Sequence, residues 1–261
     1  MQPAVRSGCV VAIVALGVAC TTSGPPPAAI PVPSGSALSA TTPLSSGQRQ
    51  WVDSTLASLS LHDRVGQMVM VWMLGDYTNT RDSSYAEVIR WVEQDHIGGI
   101  AMSLGTPIEV AAKLNDLQRR TRVPLLVGAD LEPDLGRLEG GVFAHYMLDA
   151  GGATVFPTAM GIAATGRESD AYDAARVIAE EGRAAGIHVN FAPVVDVNNN
   201  PANPVINTRS FGENAARVAR LSAAFVRGTQ DGGELATRSI FPGTATPTST
   251  PTWDCPWSAR R

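Results

Sequence analysis

The groups in this sequence best suited to chemistry are carboxylates that follow apolar runs. Asp130 closes the run PLLVGAD (124–130), and Glu132 and Asp134 follow it at two-residue intervals. Paired carboxylates can divide acid and base work when a rigid element fixes their separation. No local pattern fixes it here, and Pro133 interrupts any regular element at that point. Glu132 and Asp134 therefore read as supporting loop groups, looser and more solvated than Asp130. A second polar group, Asp196 with Asn198, Asn199 and Asn200, lies at the end of IHVNFAPVVDV (187–197). It resembles a calcium loop superficially, but the glycine and the distal bidentate glutamate of such loops are missing. Asx-turn chemistry at a strand-to-loop corner accounts for the run more simply. His62, His96, His145 and His188 are scattered without metal-ligand spacing, and His188 reads as a packing residue. Met68, Met70, Trp72 and Met73 read as core or rim filling. These patterns imply neither a metal nor a cofactor.

Composition narrows the partners. Among 261 residues, 20 Lys+Arg stand against 24 Asp+Glu, for a formal net charge of −4. Nucleic acid requires a patch of phosphate-neutralising cations, and no basic cluster exists, so no nucleic-acid partner is expected. Lys113 is the only lysine, an arginine bias that fits a GC-rich genome. Cys9, Cys20 and Cys255 cannot build a disulfide framework. Beyond residue 20 no stretch stays apolar for the ~18 residues that a membrane span requires.

The N-terminus reads as a separate region. Arg6 precedes the short apolar run CVVAIVALGVA (9–19), the pattern of an export signal over residues 1–20. Its ending, LGVAC, resembles a bacterial lipoprotein box, with Cys20 as the lipid-bearing residue and Gly17 where leucine is usual. Acyl chains gain ~0.8 kcal/mol per buried methylene, so lipidation would hold the protein at a membrane surface. The expected location is outside the cytoplasm, as a periplasmic or cell-surface lipoprotein or otherwise as a secreted protein. Residues 21–47 form an uncharged Pro/Ser/Thr/Gly linker.

From residue 48 onwards, short apolar runs alternate with amphipathic segments. The spacing predicts helices over 50–61, 83–96, 106–122, 169–185 and 214–230, with Ser60 and Asp63 capping a further one and Pro107 in a first turn. Strands are predicted within 66–74, 97–103, 124–130 and 187–197. Continuous apolar strands alternating with helices indicate parallel βα units covered on both faces. A doubly wound sheet would need a glycine-rich phosphate turn, and Gly98 and Gly99 precede a strand instead of opening a helix. Polar residues collected at strand ends, Asp130 and Asp196 among them, favour a (β/α)₈ barrel.

Five segments carry a family resemblance: VGQMVMV (65–71), HIGGIAM (96–102), VPLLVGADLE (123–132), FPTAMGIAAT (156–165) and AAGIHVNFAPVVDVNNNPANPVINTRSFG (184–212). Together, over roughly residues 48–237, they resemble the N-terminal barrel domain of family 3 glycoside hydrolases, in the β-N-acetylhexosaminidase branch. The resemblance implies an α/β fold, an incomplete TIM-type barrel of about four or five βα units. It also implies a retaining glycosidase for terminal N-acetylglucosaminides that needs no cofactor. Peptidoglycan fragments are a possible substrate. The family's hydroxyl-binding aspartate corresponds to Asp130, where an ionised carboxylate can accept two hydroxyl hydrogen bonds. Its next arginine falls on Arg137, one residue short of the usual spacing, and the arginine of its RSFG motif is Arg209, a planar fork suited to a fixed sugar contact. The alternative for Arg209 is a structural ion pair with a barrel carboxylate.

The resemblance stops after Thr237. There the family continues with a lysine-histidine pair and a PGHGDT-type loop bearing its acid/base histidine, whereas residues 238–261 read RSIFPGTATPTSTPTWDCPWSARR. Read one base out of register, the tail's codons permit AKHLPGHGDTDVDSHLGLP, the family pattern without gaps. The expectation is therefore a frame shift near Thr237 and an out-of-frame, disordered tail. Neither the acid/base histidine nor the nucleophilic aspartate of a later strand would then be present. The chain as written would be inactive, or a non-catalytic surface lipoprotein binding glycans or other partners.

Overall fold

The computed structural model describes residues 43–75, 79, 81–103, 105–132, 137–139, 142–144, 153–200, 203 and 206–239. Side chains of 137–139 and 142–144, the export signal, Cys20, nearly all of the linker and most of the tail lie outside the described residues.

Reciprocal caps start the early helices. Ser45 and Gln48 cap α1 (Ser46–Ser58), and Ser60 and Asp63 cap the short α2 (Leu61–Gly66), each pair satisfying two otherwise orphaned backbone N–H groups. Strand β1 (Met70–Leu74) leads to α3 (Ser83–Glu93), which buries Tyr85, Val88 and Val92 along one stripe. After β2 (Gly99–Ser103), the Thr106/Glu109 box and Pro107 open α4 (Pro107–Gln118). β3 (Leu126–Ala129) is followed by an antiparallel pair, β4 (Arg137–Glu139) and β5 (Val142–Ala144). Then come α5 (Ala159–Ala164), α6 (Glu168–Ala185), β6 (Val189–Asn190), α7 (Ala215–Asp231) and β7 (Leu235–Ala236).

The main sheet has five parallel strands in the order β1-β2-β3-β6-β7. Position in the sheet thus follows position in the chain, with no reversal. A doubly wound sheet must reverse at its switch point, so the topology is that of a (β/α)₈ barrel. Among the described residues no strand pairs β1 with β7.

The sheet's two faces differ. Met73, Ile100, Met102, Val127 and Ala129 point to the helices and are buried in the core. On the other face the register aligns Trp72 with Ala101 and Ala101 with Gly128. A Cβ at Gly128 would meet the Phe191 ring at 2.4 Å, so only glycine lets that ring cross the strand. Met68, Met70 and Trp72 are exposed, Trp72 at 58%, and only Met73 fills core as the sequence suggested. Strand alternation turns Met70 and Trp72 away from the helices. The only lysine, Lys113, is buried and donates from Nζ to Leu74 O at 2.8 Å, closing the end of β1.

The run 187–197 is strand over only two residues, with an isolated bridge from Val194 to Ser239. Pro193 has no N–H for a ladder, which limits a continuous strand here. No described helix is long and apolar enough to cross a membrane.

Candidate functional site

Asp130 directly follows β3 and is exposed at the carboxyl end of the sheet. Its neighbour Leu131 is clasped by Asn190 of β6. The Leu131 N–H donates to Asn190 Oδ1 at 3.1 Å, and Asn190 Nδ2 donates back to Leu131 O at 3.4 Å. Asn190 is completely buried, so this amide is spent on fixing the strand end.

Glu132 corrects the sequence reading. It is a half-buried partner of Arg209, not a loose solvated group. Arg209 Nε donates to Glu132 Oε1 at 2.6 Å, and Nη2 reaches the same oxygen. Burial pushes the Glu132 acid above its ordinary value; Arg209 pulls it down, and the charge of Asp130 pushes it up. Arg209 stands on a 3₁₀ turn, Asn207–Arg209, whose start is held by Asn203 Oδ1 accepting from Ile206 N–H at 3.4 Å. Ser210 Oγ donates to Asp196 O at 2.6 Å and accepts from Gly212 N at 3.1 Å, tying the turn to the segment after β6.

Asp196 and Asn198 are buried. Asp196 Oδ2 and Asn198 Oδ1 have no hydrogen-bond partner among the described residues. The Asx-turn reading therefore does not hold for Asn198, whose amide oxygen accepts no bond among the described residues. Burial raises the Asp196 acid, and the Arg209 charge opposes that rise.

The carboxyl end of the sheet thus gathers Asp130, Glu132, Asp196 and Arg209. Behind the ion pair, Thr158, Pro193, Phe211 and Phe225 help to enclose a cavity of about 20 Å³. Such a volume holds about one water. Arg137 opens β4 opposite Ala144, and its side chain lies outside the described residues, as does Asp134. The direct Glu132–Arg209 pairing spans 77 residues of chain, and no local pattern announces it. Asn190 did leave a signal, a lone amide inside an apolar run.

Histidines depart from expectation as well. His188 Nδ1 accepts the Val127 N–H at 3.0 Å, so the ring stands in for a backbone carbonyl beside β3 rather than simply packing. Burial lowers its pKa, which favours the neutral ring that this bond requires. His62 and His96, distant in sequence, meet around Asp63.

Comparison with known proteins agrees with this architecture. The pattern of the glycosyl hydrolase family 3 N terminal domain matches residues 60–255, reaching past the boundary placed at residue 237. A beta-N-acetylglucosaminidase/beta-glucosidase of Cellulomonas fimi is 36% identical over 193 residues, 74% of this chain and 31% of that protein. Beta-hexosaminidase LpqI of Mycobacterium tuberculosis is 32% identical over 228 residues, 85% of this chain and 51% of that protein. The chain therefore spans about half or less of the length of these relatives. A family 3 beta-N-acetylglucosaminidase structure from Paenibacillus sp. str. FPU-7 superposes with a TM-score of 0.58 at 39% identity, covering 71% of this chain and 34% of that one. A consecutive parallel sheet, the carboxylates and arginine at its carboxyl end and a match over most of the chain lead to one conclusion: this chain belongs to glycoside hydrolase family 3 and carries its N-terminal barrel domain.

Proposed function

We propose that this chain carries the sugar-holding wall of an exported, retaining β-N-acetylhexosaminidase acting on terminal N-acetylglucosaminides. The observation that carries the reading is the exposed Asp130 at the sheet mouth, beside the inward-facing Glu132–Arg209 pair. Asp130 accepts hydrogen bonds from sugar hydroxyls, while Glu132 holds the Arg209 guanidinium in one orientation at the wall. That pairing makes Arg209 a positioned cation rather than a free fork. A planar guanidinium held in one orientation suits a fixed sugar contact. The names of relatives that act on N-acetylglucosaminides support this substrate class.

A retaining glycosidase breaks the glycosidic bond with a nucleophilic carboxylate and an acid/base group on opposite sides of the anomeric carbon. In this proposal the acid/base histidine belongs to the register-shifted reading of the tail, so hydrolysis depends on restoring that register. Lipidation at Cys20 would keep the protein at a membrane surface, and Cys20→Ser should release it.

The test is a chromogenic N-acetylglucosaminide assay on the chain as written and on a register-restored, full-length version. Activity only in the restored form supports the proposal. Glycan binding by the written form without hydrolysis in either form would favour a non-catalytic binding lipoprotein. An uninterrupted reading frame through Thr237 in independent clones would remove the frame-shift component. In the restored enzyme, Asp130→Ala should cost more activity than Asp134→Ala. It should also cost more than Glu132→Ala once the stability of each variant has been matched by temperature. The reverse order would show that the residue correspondence is out of register.

A further inference from the structure

The amino end of the sheet, opposite the sugar wall, holds a cluster that the glycosidase reading does not use. α2 presents His62 and Asp63 as consecutive residues, and His96 approaches them from the turn just before β2. Asp63 Oδ1 lies 2.5 Å from His96 Nδ1 and 3.8 Å from His62 Nδ1. The two imidazole rings sit edge to face, with centroids 6.4 Å apart and planes at 80°. One ligand atom from each of the three residues falls within 4.8 Å of the other two. Just beyond them, Asp95 Oδ1 lies 3.9 Å from His62 Nε2.

We propose that His62, Asp63 and His96 form a binding site for a divalent transition metal, with Zn²⁺ its natural occupant. Two imidazoles and one carboxylate are a borderline-soft set that suits Zn²⁺ better than Ca²⁺ or Mg²⁺, which prefer oxygen alone. With metal–ligand bonds of 2.0–2.1 Å, neighbouring donors in a tetrahedron stand about 3.3 Å apart. The observed 2.5 and 3.8 Å separations bracket that value, and with all three donor atoms within 4.8 Å of one another, rotation of the exposed His62 ring closes the set on an ion.

Two of the three donors are held in place before any ion arrives. Asp63 Oδ2 accepts the Ser60 N–H at 3.1 Å while the Asp63 N–H donates to Ser60 Oγ, so the helix cap aims the carboxylate. His96 occupies a left-handed backbone conformation, φ 50°, and its carbonyl accepts from Gln67 Nε2 at 2.8 Å. A Cβ at Gly66 would lie 2.1 Å from Asp95 O, so the end of α2 rests directly on the backbone that carries His96. His62, largely exposed, swings in as the third donor, and the remaining coordination position is open to water, while Asp95 stays engaged with Arg90, whose Nη1 donates to Asp95 Oδ2 at 2.9 Å. A bound ion would clip α2 to the turn before β2 across 33 residues of chain.

The experiment is calorimetric Zn²⁺ titration of the full chain carrying Cys9→Ser, Cys20→Ser and Cys255→Ser, which removes competing thiolates. Expected is one saturable site per chain, a higher melting temperature with Zn²⁺, and unchanged behaviour in His145→Ala. Losing a group that merely orients a metal ligand weakens binding ~10–100-fold, so His62→Ala and His96→Gln should each weaken it at least ~10-fold. His62 is surface-exposed, so its variant remains informative if His96→Gln fails to fold. Absence of saturable binding, or stoichiometric binding that His62→Ala leaves unchanged, overturns the proposal.

Discussion

Two glutamates, one at the sheet mouth and one in the seam between α6 and β7, solve the same problem differently. Glu132 is half-buried and spends its carboxylate on Arg209. Glu234 is fully buried, and both of its oxygens lack a hydrogen-bond partner among the described residues. It sits against Gly182 of α6 and Leu131, with the Arg183 charge acting on it only from a distance. Desolvation pushes its pKa up to about 8, so it is mostly protonated at neutral pH. Burial raises both acids, and what separates them is the partner: at the mouth a directional cation opposes the rise, whereas in the seam only a distant charge does.

The largest effect expected from this contrast follows Arg209→Met. Removing one partner of a desolvated ion pair strands the other charge, which costs about 3–5 kcal/mol. Urea denaturation should show that loss, and adding Glu132→Gln should recover much of it. A loss below about 1 kcal/mol would mean the pair behaves as a solvated surface bridge.

Glu234 predicts the opposite sign. Unfolded, its carboxyl ionises near the ordinary 4.5; folded, near 8. Between those values the folded state holds the extra proton. Its stabilising share is thus complete below pH 4.5, falls by up to about 1.4 kcal/mol per pH unit on the way to 8, and levels off above it. Glu234→Gln should flatten that part of the stability profile and raise stability at pH 8. An unchanged slope would show that Glu234 is hydrated or paired in solution.

Gly182→Ala probes the same seam from α6. Alanine gains about 1 kcal/mol of helix propensity over glycine. Its Cβ would fall 2.2 Å from Glu234 Oε1 and 2.9 Å from Leu131 Cδ1, and overpacking of this kind costs about 1–3 kcal/mol. A net destabilisation of about 1 kcal/mol is expected in thermal melts, and a stabilised variant would mean that the carboxylate moves aside freely.

Asp130→Asn should change stability least, within about 0.5 kcal/mol, because its side chain is exposed. In a register-restored enzyme it should nevertheless weaken N-acetylglucosamine binding by about 1.5–3 kcal/mol, since hydrogen bonds to a charged acceptor are lost. Measuring inhibition by the free sugar alongside denaturation separates the two effects.

Local chemistry made much of this fold legible in the sequence. The Ser60–Asp63 cap, Pro107 in the first turn of α4, and a helix within 83–96 appear where spacing places them. What sequence spacing missed depends on distant partners. Glu132 and Arg209 meet across 77 residues, His62 and His96 meet over Asp63, and Glu234 occupies a core position that no periodicity marks as charged. The β4–β5 pair went unread although the Gly-Gly between Glu139 and Val142 is a known hairpin signal. Apolar content left core and rim open at Met70 and Trp72, and the structure exposes both, because residue type alone does not say which face of a strand is covered.

Lys113, tethered through its ammonium to the carbonyl end of β1, also determines how this protein can be handled. With no other lysine in the sequence, its surface offers no side-chain amine to acylating dyes, biotinylation esters or aldehyde fixatives. In the chain as written, amine-directed labelling therefore falls on the backbone α-amine, and side-chain labelling must be directed at guanidinium, carboxyl or thiol groups.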